Sequence, residues 1–297
     1  MRSSKLGERL FAGANYTVVI LFTVFCFLPF YLLVISSFTD QQVLQLDGYS
    51  LWPRKFSIEA YKWVLNGKPV LVGYQVSTFV TVVGTFLSVA LMSGVAYALS
   101  VKKFKFRNQL SFYIYFTMIF SGGLIPWFIT CRALGLYDNI WALIVPMLMN
   151  PWWIFILRNY FNGLPGEIME SAVIDGASDW TILTRIVLPL SMPVLATTAL
   201  FVAVGYWNDW WHGVILLDFA EFRPLQVIIL RIINSIRAIR QAMAMEGGSS
   251  LAISSAQIPA KSIRMAIVVV TIGPIILLYP FVQRYFIKGL TVGSVKG

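Results

Sequence analysis

Residues 206–211, Tyr-Trp-Asn-Asp-Trp-Trp, gather the side chains on this chain best suited to hold a polyhydroxylated ligand. Indole faces stack on the C–H faces of pyranose rings, and amides and carboxylates pair with hydroxyls. A passage built from several weak contacts of this kind lets a ligand both enter and leave. Trp207, Asn208 and Asp209 lie deeper in the surrounding apolar run, and Trp210 and Trp211 lie nearer its end. The same cluster also reads as an aromatic belt at a membrane–water interface, where Trp and Tyr collect. Spacing alone leaves both readings open. Trp152 and Trp153 are a further pair, with core packing as the expected role.

Other chemistry finds little to work with. His212 is the only histidine, so neither a nucleophilic triad nor a histidine-based metal site is expected. It reads as an interfacial or core residue. No G-x-x-x-x-G-K-[ST] phosphate loop is present. The Gly-Ser stretch at 247–250 lacks both the lysine and a preceding strand. Cys26 and Cys131 lie in or beside apolar runs, which argues against a structural disulfide. The expectation is a chain with no catalytic residue, no metal and no cofactor of its own.

Composition places these residues in a bilayer. The chain has 297 residues, 58% of them hydrophobic and 12% charged, whereas soluble domains run at about 45–50% apolar and about 25% charged. Mean hydropathy is +0.75. The net charge of +10 is then read as Lys and Arg flanking membrane spans and facing anionic headgroups, not as a nucleic-acid surface. A membrane helix needs about 20 mostly apolar residues. Hydropathy predicts an all-α polytopic protein with six such spans, near 15–38, 74–100, 110–131, 139–160, 192–213 and 265–287. The first is too long for a signal-peptide core and shows no small-residue cleavage site. It is read as a retained helix, and a single membrane domain is expected.

Short loops set the orientation. The loop 101–109 carries Lys102, Lys103, Lys105 and Arg107 with no acid, and the N-terminal tail adds Arg2, Lys5 and Arg9 against Glu8. Both are expected on the cytoplasmic side, which puts both termini inside and the loops 39–73 and 214–264 outside. The loop 161–191 then also falls inside. It breaks the local charge rule, with Glu167, Glu170, Asp175 and Asp179 against Arg185. An acidic inner loop suits a basic protein partner better than a lipid surface.

That loop reads as a helix–turn–helix bracket. Pro165 suits a first helical turn, and Ile168, Met169, Ala172 and Val173 repeat at helical spacing. Gly176 can take the left-handed geometry that ends a helix. Ser178 or Asp179 can cap a second helix to about Val187, with Pro189 and Pro193 breaking it before span five. Ser171, Ala172 and Ala177 are small enough to let a partner backbone approach. An ordinary interfacial connector would show much of the same pattern. In the outer loop, Pro224 opens an amphipathic helix with Ile228, Ile229, Ile232, Ile236 and Ile239 on one face. The Gly/Ser-rich segment 246–262 follows and is expected to be mobile.

The spacing Glu170-Ser171-Ala172, three residues, Gly176, nine residues, Ile186-x-Leu188-Pro189 resembles the EAA motif of ABC importer permeases. Ser171 stands where that motif has Ala, and Asp175-Gly176-Ala177 matches its usual continuation. The tail 288–297 (Lys-Gly-Leu-Thr-Val-Gly-Ser-Val-Lys-Gly) is similar to that of maltose-type permease subunits, as are 262–266 and Trp207-Asn208-Asp209. Ser121-Gly122-Gly123-Leu124-Ile125-Pro126 resembles permeases for oligosaccharides or polysaccharide fragments. The resemblance implies a type I importer in a bacterial inner membrane. Its partners would be a second, related permease, two cytoplasmic ATPases that bind ATP and Mg, and an extracytoplasmic solute-binding protein. It implies that the bracket couples to an ATPase and that Gly289, Leu290, Thr291, Gly293, Lys296 and Gly297 insert between the two ATPases. It also implies that the outer loop reaches toward the binding protein. The rival readings are a self-contained secondary transporter, a scaffold or channel subunit, and a permease of this family for a non-sugar solute. The first is disfavoured because Asp209 is the only acid in a predicted span, and intramembrane ionisable groups are what ion coupling uses.

Overall fold

In a computed structural model of the chain, residues 2–245, 261–274 and 276 are described. The described residues are all-α, with one isolated antiparallel bridge between Thr39 and Phe56. Contacts divide the chain into two units, Met1–Lys68 with Arg231–Gly273, and Pro69–Leu230 with Pro274–Gly297.

The first unit holds α1 (Arg2–Ser37), α2 (Gln41–Leu46), α3 (Glu59–Asn66) and a helix over 261–274. The outer loop expected after span one is folded. Phe38 stacks on Phe56 and Tyr61, with ring centroids 5.6 and 4.7 Å apart. Ser37 Oγ lies 2.7 Å from Tyr61 Oη. Asp40 caps α2 by accepting the Gln42 N–H and pairs with Lys55 Nζ at 3.1 Å. Burial alone would raise the Asp40 carboxyl, but the Lys55 ammonium and the amides of Gln42 and Val43 outweigh it and hold the group below its ordinary value. Gln41 Oε1 accepts from both the N–H and the Oγ of Ser262, each at 3.0 Å.

The second unit is built on α4 (Lys68–Ser100), α5 (Arg107–Ile119), α6 (Leu124–Ala133), α7 (Pro151–Asn162), α8 (Gly166–Ile174), α9 (Asp179–Ile182), α10 (Leu188–Leu190), α11 (Met192–Trp207) and α12 (Trp211–Leu216). The first turns of α13 (Leu225–Met245) complete it. One core runs through it from Val76, Met92 and Ala96 on α4 to Leu157 on α7, Ile182 and Val187 below and Val202 on α11. Small residues set the closest approaches. A Cβ on Gly84 would meet the Tyr206 ring at 2.7–2.9 Å. A Cβ on Gly73 would meet Ile228 Cδ1 at 2.6 Å, and one on Gly213 would meet Val227 Cγ2 at 2.6 Å. The α13 start is therefore wedged between α4 and α12, and its Leu225 N–H donates to Ser77 Oγ at 2.8 Å. Leu225, Val227 and Ile228 are buried there, and Ile229 and Ile232 of the expected isoleucine face are half-buried.

Hydropathy averages hide breaks. Among the described residues, two helices are each long and apolar enough to cross a membrane alone, Gly7–Ser37 and Lys68–Ser100. Two pairs reach that length only together: Ile140–Met147 with Pro151–Asn162, bent by 47°, and Asp179–Leu190 with Met192–Trp207, bent by 83°. The three expected spans 110–131, 139–160 and 192–213 are thus interrupted. The first stops at Ile119 and restarts at Leu124 after Gly123 at φ +84°. The second begins as 3₁₀ turns that contain Pro146 and becomes α-helical only at Pro151, where Asn150 caps the Trp152 N–H at 3.0 Å. The third is broken between Trp207 and Trp211. Most of 265–287, and all of 246–260, lie outside the described residues.

Candidate functional site

The acidic loop folds as the expected bracket, and its turn is fully bonded. Helix α8 ends with the Gly176 N–H on the Val173 carbonyl at 3.1 Å and the Ala177 N–H on the Ala172 carbonyl at 2.9 Å. This paired pattern is the Schellman C-cap, which needs a left-handed residue at the Gly176 position; Gly176 sits at φ +81°. Ser178, not Asp179, is the next cap, and its Oγ accepts the Thr181 N–H at 3.3 Å. Asp179 instead accepts a hydrogen bond from Tyr97 Oη on α4, at 3.4 Å to Oδ1.

Two prolines of the bracket depart from expectation. Pro165 is the N-cap of α8 and stands one residue ahead of its first turn. Pro189 does not break the second arm, which continues to Leu190; the bend falls at Ser191. A proline clashes with the carbonyl four residues earlier, here that of Arg185. Residues Leu183–Val187 form a π-type turn, and this widening moves that carbonyl aside.

The bracket has two faces. Ala172, Ile182, Leu183 and Val187 are buried in the core, with Met169, Ala177, Ile186 and Leu188 packed against it. Glu170, Ser171, Asp175, Gly176 and Pro189 are exposed. The exposed face is also strongly apolar, with Ile174 85% and Trp180 72% accessible, beside Ile168 and Val173. Trp180 was missed by motif reading, although a tryptophan among Ser178, Asp179 and Thr181 was a legible signal.

The break at 208–210 reorganises the aromatic cluster. Asn208 folds back, its Nδ2 donating to the Val204 carbonyl at 3.0 Å. Trp207 is buried, 7% exposed, with its ring 6.1 Å from that of Tyr74. In this conformation it packs, and its indole presents no open face to a solute, contrary to its expected priority. Trp211 is partly open and lies 4.6 Å from Trp127 of α6 and 4.9 Å from His212, centroid to centroid. Asp209 Oδ1 lies 2.9 Å from His212 Nδ1. Asp209 Oδ2 is buried with no hydrogen-bond partner among the described residues. Trp210 is half exposed. Trp153 stacks on Phe201 at 5.3 Å, as a packing residue would, while Trp152 is exposed. Among the described residues no group of three or more His, Cys, Asp or Glu could hold a metal. The tail residues Gly289, Leu290, Thr291, Gly293, Lys296 and Gly297 lie outside the described residues.

An all-α chain with a bracket of this kind has the form of a transporter's membrane subunit. The chain belongs to the family of binding-protein-dependent transport system inner membrane components, whose pattern matches residues 89–292. It is 39% identical to the polygalacturonan/rhamnogalacturonan transport system permease protein YtcP of Bacillus subtilis, over 98% of this chain and 99% of that one. It is also 39% identical to the Bacillus subtilis protein LplC, over 91% and 89%. Among solved structures it is similar to a chain of a bacterial ABC transporter involved in the import of the acidic polysaccharide alginate, with TM-score 0.82, 31% identity and 94% and 98% coverage. The chain is therefore an ABC importer permease and a bacterial membrane protein, a transport subunit and not an enzyme. Such a permease works with a partner permease, ATPases and a solute-binding protein.

Proposed function

We propose that this permease carries oligosaccharides or polysaccharide fragments and that its inner bracket is the seat of an ATPase subunit. The reading takes six membrane crossings, some of them broken, with both termini cytoplasmic. The single observation that carries it is the outer face of the bracket. Glu170, Asp175, Ile174 and Trp180 are exposed together on a turn locked by two Schellman bonds. Buried tryptophans anchor many protein interfaces, and exposed apolar clusters rimmed by charge mark docking surfaces. Ser171 and Gly176 leave room beside that anchor, and Ile186, Leu188 and Pro189 join the bracket to α11. The tail 289–297 is proposed to insert between the two ATPases.

The saccharide assignment is supported by the polysaccharide-transport roles of the relatives and by the exposed indoles of Trp210 and Trp211 beside Asn208. Asp209, whose Oδ1 lies 2.9 Å from His212 Nδ1, steadies this surface from within. Trp207 is buried and packs on Tyr74. The test reconstitutes the full complex and measures uptake and ATP hydrolysis together. Trp180→Ala and Glu170→Lys are expected to lower stimulated hydrolysis while the permease pair still inserts. Normal stimulation in both variants would remove the bracket from the coupling path.

A further inference from the structure

Between α1 and α3 the chain folds back along the helix it has just left. Tyr31 stands six residues before Ser37, the end of α1, which is about 9 Å along the helix at 1.5 Å per residue. Its Oη donates to the Leu51 carbonyl at 2.9 Å. Antiparallel pairing holds the stem of the loop, with the Asp40 N–H on the Lys55 carbonyl at 3.0 Å and the Ser57 N–H on the Phe38 carbonyl at 2.8 Å. The tip at 49–52 therefore hangs beside α1 and does not stand off from its end. On the reading of α1 as a membrane crossing, on which this inference rests, the tip has a depth. The apolar stretch Gly7–Ser37 is about 46 Å long, and a hydrocarbon core of roughly 30 Å centred on it ends close to Leu32. Tyr31 and the tip it holds thus lie at the boundary of the acyl chains.

The composition and bonding of the tip suit that layer. Leu46, Tyr49, Leu51, Trp52 and Phe56 are all exposed on the chain, Trp52 at 75%. The Phe27 ring lies 6.4 Å from that of Tyr31, which joins this patch to the exposed apolar side of α1 at Phe27 and Phe30. The charges pair within the loop, Arg54 with Asp47 at 2.8 Å and Lys55 with Asp40 at 3.1 Å. The carbonyls at the tip are engaged as well, that of Leu51 by Tyr31 and that of Trp52 by Ser50 Oγ at 2.7 Å, and Pro53 has no N–H. Backbone groups that already have partners tolerate a water-poor layer. Indole and phenol rings collect at the membrane boundary because each has an apolar body and a polar tip.

We propose that residues 46–56 are an interfacial anchor, seated in the boundary layer of the lipid leaflet at the C-terminal end of α1. The anchor holds lipid through apolar burial, so it needs no anionic headgroup. It fixes the height of α1 in the bilayer.

Fluorescence quenching in the assembled importer tests this. In a Cys26→Ala, Cys131→Ala background that retains uptake, Trp52→Cys and, separately, Tyr49→Cys are labelled with bimane, and the complex is reconstituted into neutral phosphatidylcholine vesicles. The quenchers are phosphatidylcholine with a nitroxide near the carbonyl end of one acyl chain, and aqueous iodide. Each tip label is expected to lose about half of its emission to the lipid nitroxide, since interfacial side chains reach about 5–10 Å into the headgroup and acyl boundary. Quenching by iodide alone would place the tip in water and overturn the proposal. Quenching by neither would place it against protein, the partner permease or the binding protein, and overturn it equally. Labels at Phe25→Cys and Phe27→Cys test the crossing itself. These positions lie about 200° apart around α1, so a protein neighbour on one side leaves the other in lipid. Lipid quenching at either of them, with none at the tip, rejects the anchor alone. No lipid quenching at any position rejects α1 as a crossing and the anchor with it.

Discussion

Tyr97, near the C-terminal end of α4, donates its phenolic hydrogen to Asp179 Oδ1 in the first turn of α9, across 3.4 Å and 82 residues of sequence. This side-chain bond ties the second arm of the bracket to a membrane helix. Tyr97 is 8% exposed, whereas Asp179 is open to solvent. The bond is long and half-wet, so it is worth about 1 kcal/mol, the middle of the usual range. Tyr97→Phe is expected to leave assembly intact and to weaken the link between solute arrival and ATP hydrolysis by roughly fivefold, the equivalent of that energy. Asp179→Asn should do the same, and the double variant should add little to either one. Additive losses in a double-mutant cycle would show that the two side chains act separately.

Gly176 separates backbone strain from crowding. A Cβ there would meet nothing within 4 Å, yet φ is +81°. Gly176→Ala should therefore lose about 1–2 kcal/mol through the left-handed penalty alone, and Gly176→Asn should lose less. Gly94 is the control, with the same empty surroundings but an ordinary helical position in α4. Gly94→Ala should be neutral or stabilising by up to about 1 kcal/mol. Thermal unfolding of the detergent-solubilised complex reads both signs, and equal shifts would discount the backbone argument.

Tyr206 knits three segments. Its Oη lies 2.9 Å from Ser88 Oγ and donates to the Ile144 carbonyl at 3.1 Å, while its ring occupies the space over Gly84. Gly84→Ala must push that ring aside, a change that costs about 1–3 kcal/mol in a packed core. Tyr206→Phe keeps the ring and strands two buried partners, costing about 1–3 kcal/mol by a different route. The two should be distinguishable by a compensating change: Tyr206→Leu is expected to rescue Gly84→Ala but not to restore wild-type stability. No rescue would mean that the Gly84 contact does not set the helix approach.

The bracket was the most legible part of the chain, because its signals are local. Gly176 and Ser178 act within a few residues of themselves, and both took the expected cap positions. The breaks were not legible from hydropathy, since Ile119 and Leu124 are as apolar as any continuous span and the averaging window passes over Gly122-Gly123. Pro189 misled for the opposite reason. Proline predicts a break, but a widened turn two to six residues earlier absorbed its clash. Trp207 is buried and Trp211 partly open because the helix stops between them. A register argument carried through 208–210 passes over the break and does not foresee this difference in burial. The tail motif rests on resemblance alone, as its residues lie outside those described.

Asp209 and His212 hold the break in span five. Oδ1 of Asp209 lies 2.9 Å from His212 Nδ1 and 3.4 Å from the His212 N–H, so one carboxylate oxygen serves both the ring and the first turn of α12. The His212 ring in turn meets Trp211 and Trp127 edge-on, at 4.9 and 5.5 Å. Removing the carboxylate should release the imidazole and let Trp211 turn away from Trp127, whose ring it meets at 4.6 Å. Two variants divide the possible roles. His212→Gln keeps a donor for Oδ1 and should preserve both stability and uptake within about twofold, since one N–H donor replaces another on the same carboxylate oxygen. Trp211→Ala leaves the Asp209–His212 contact in place and should raise the apparent KM for saccharide uptake by roughly fivefold or more, the loss of a stacking contact worth about 1 kcal/mol, with the maximal rate and ATPase retention little changed. Uptake kinetics that follow His212 and ignore Trp211 would make the cluster a structural joint, and the saccharide surface would then have to lie elsewhere on the chain or on its partner.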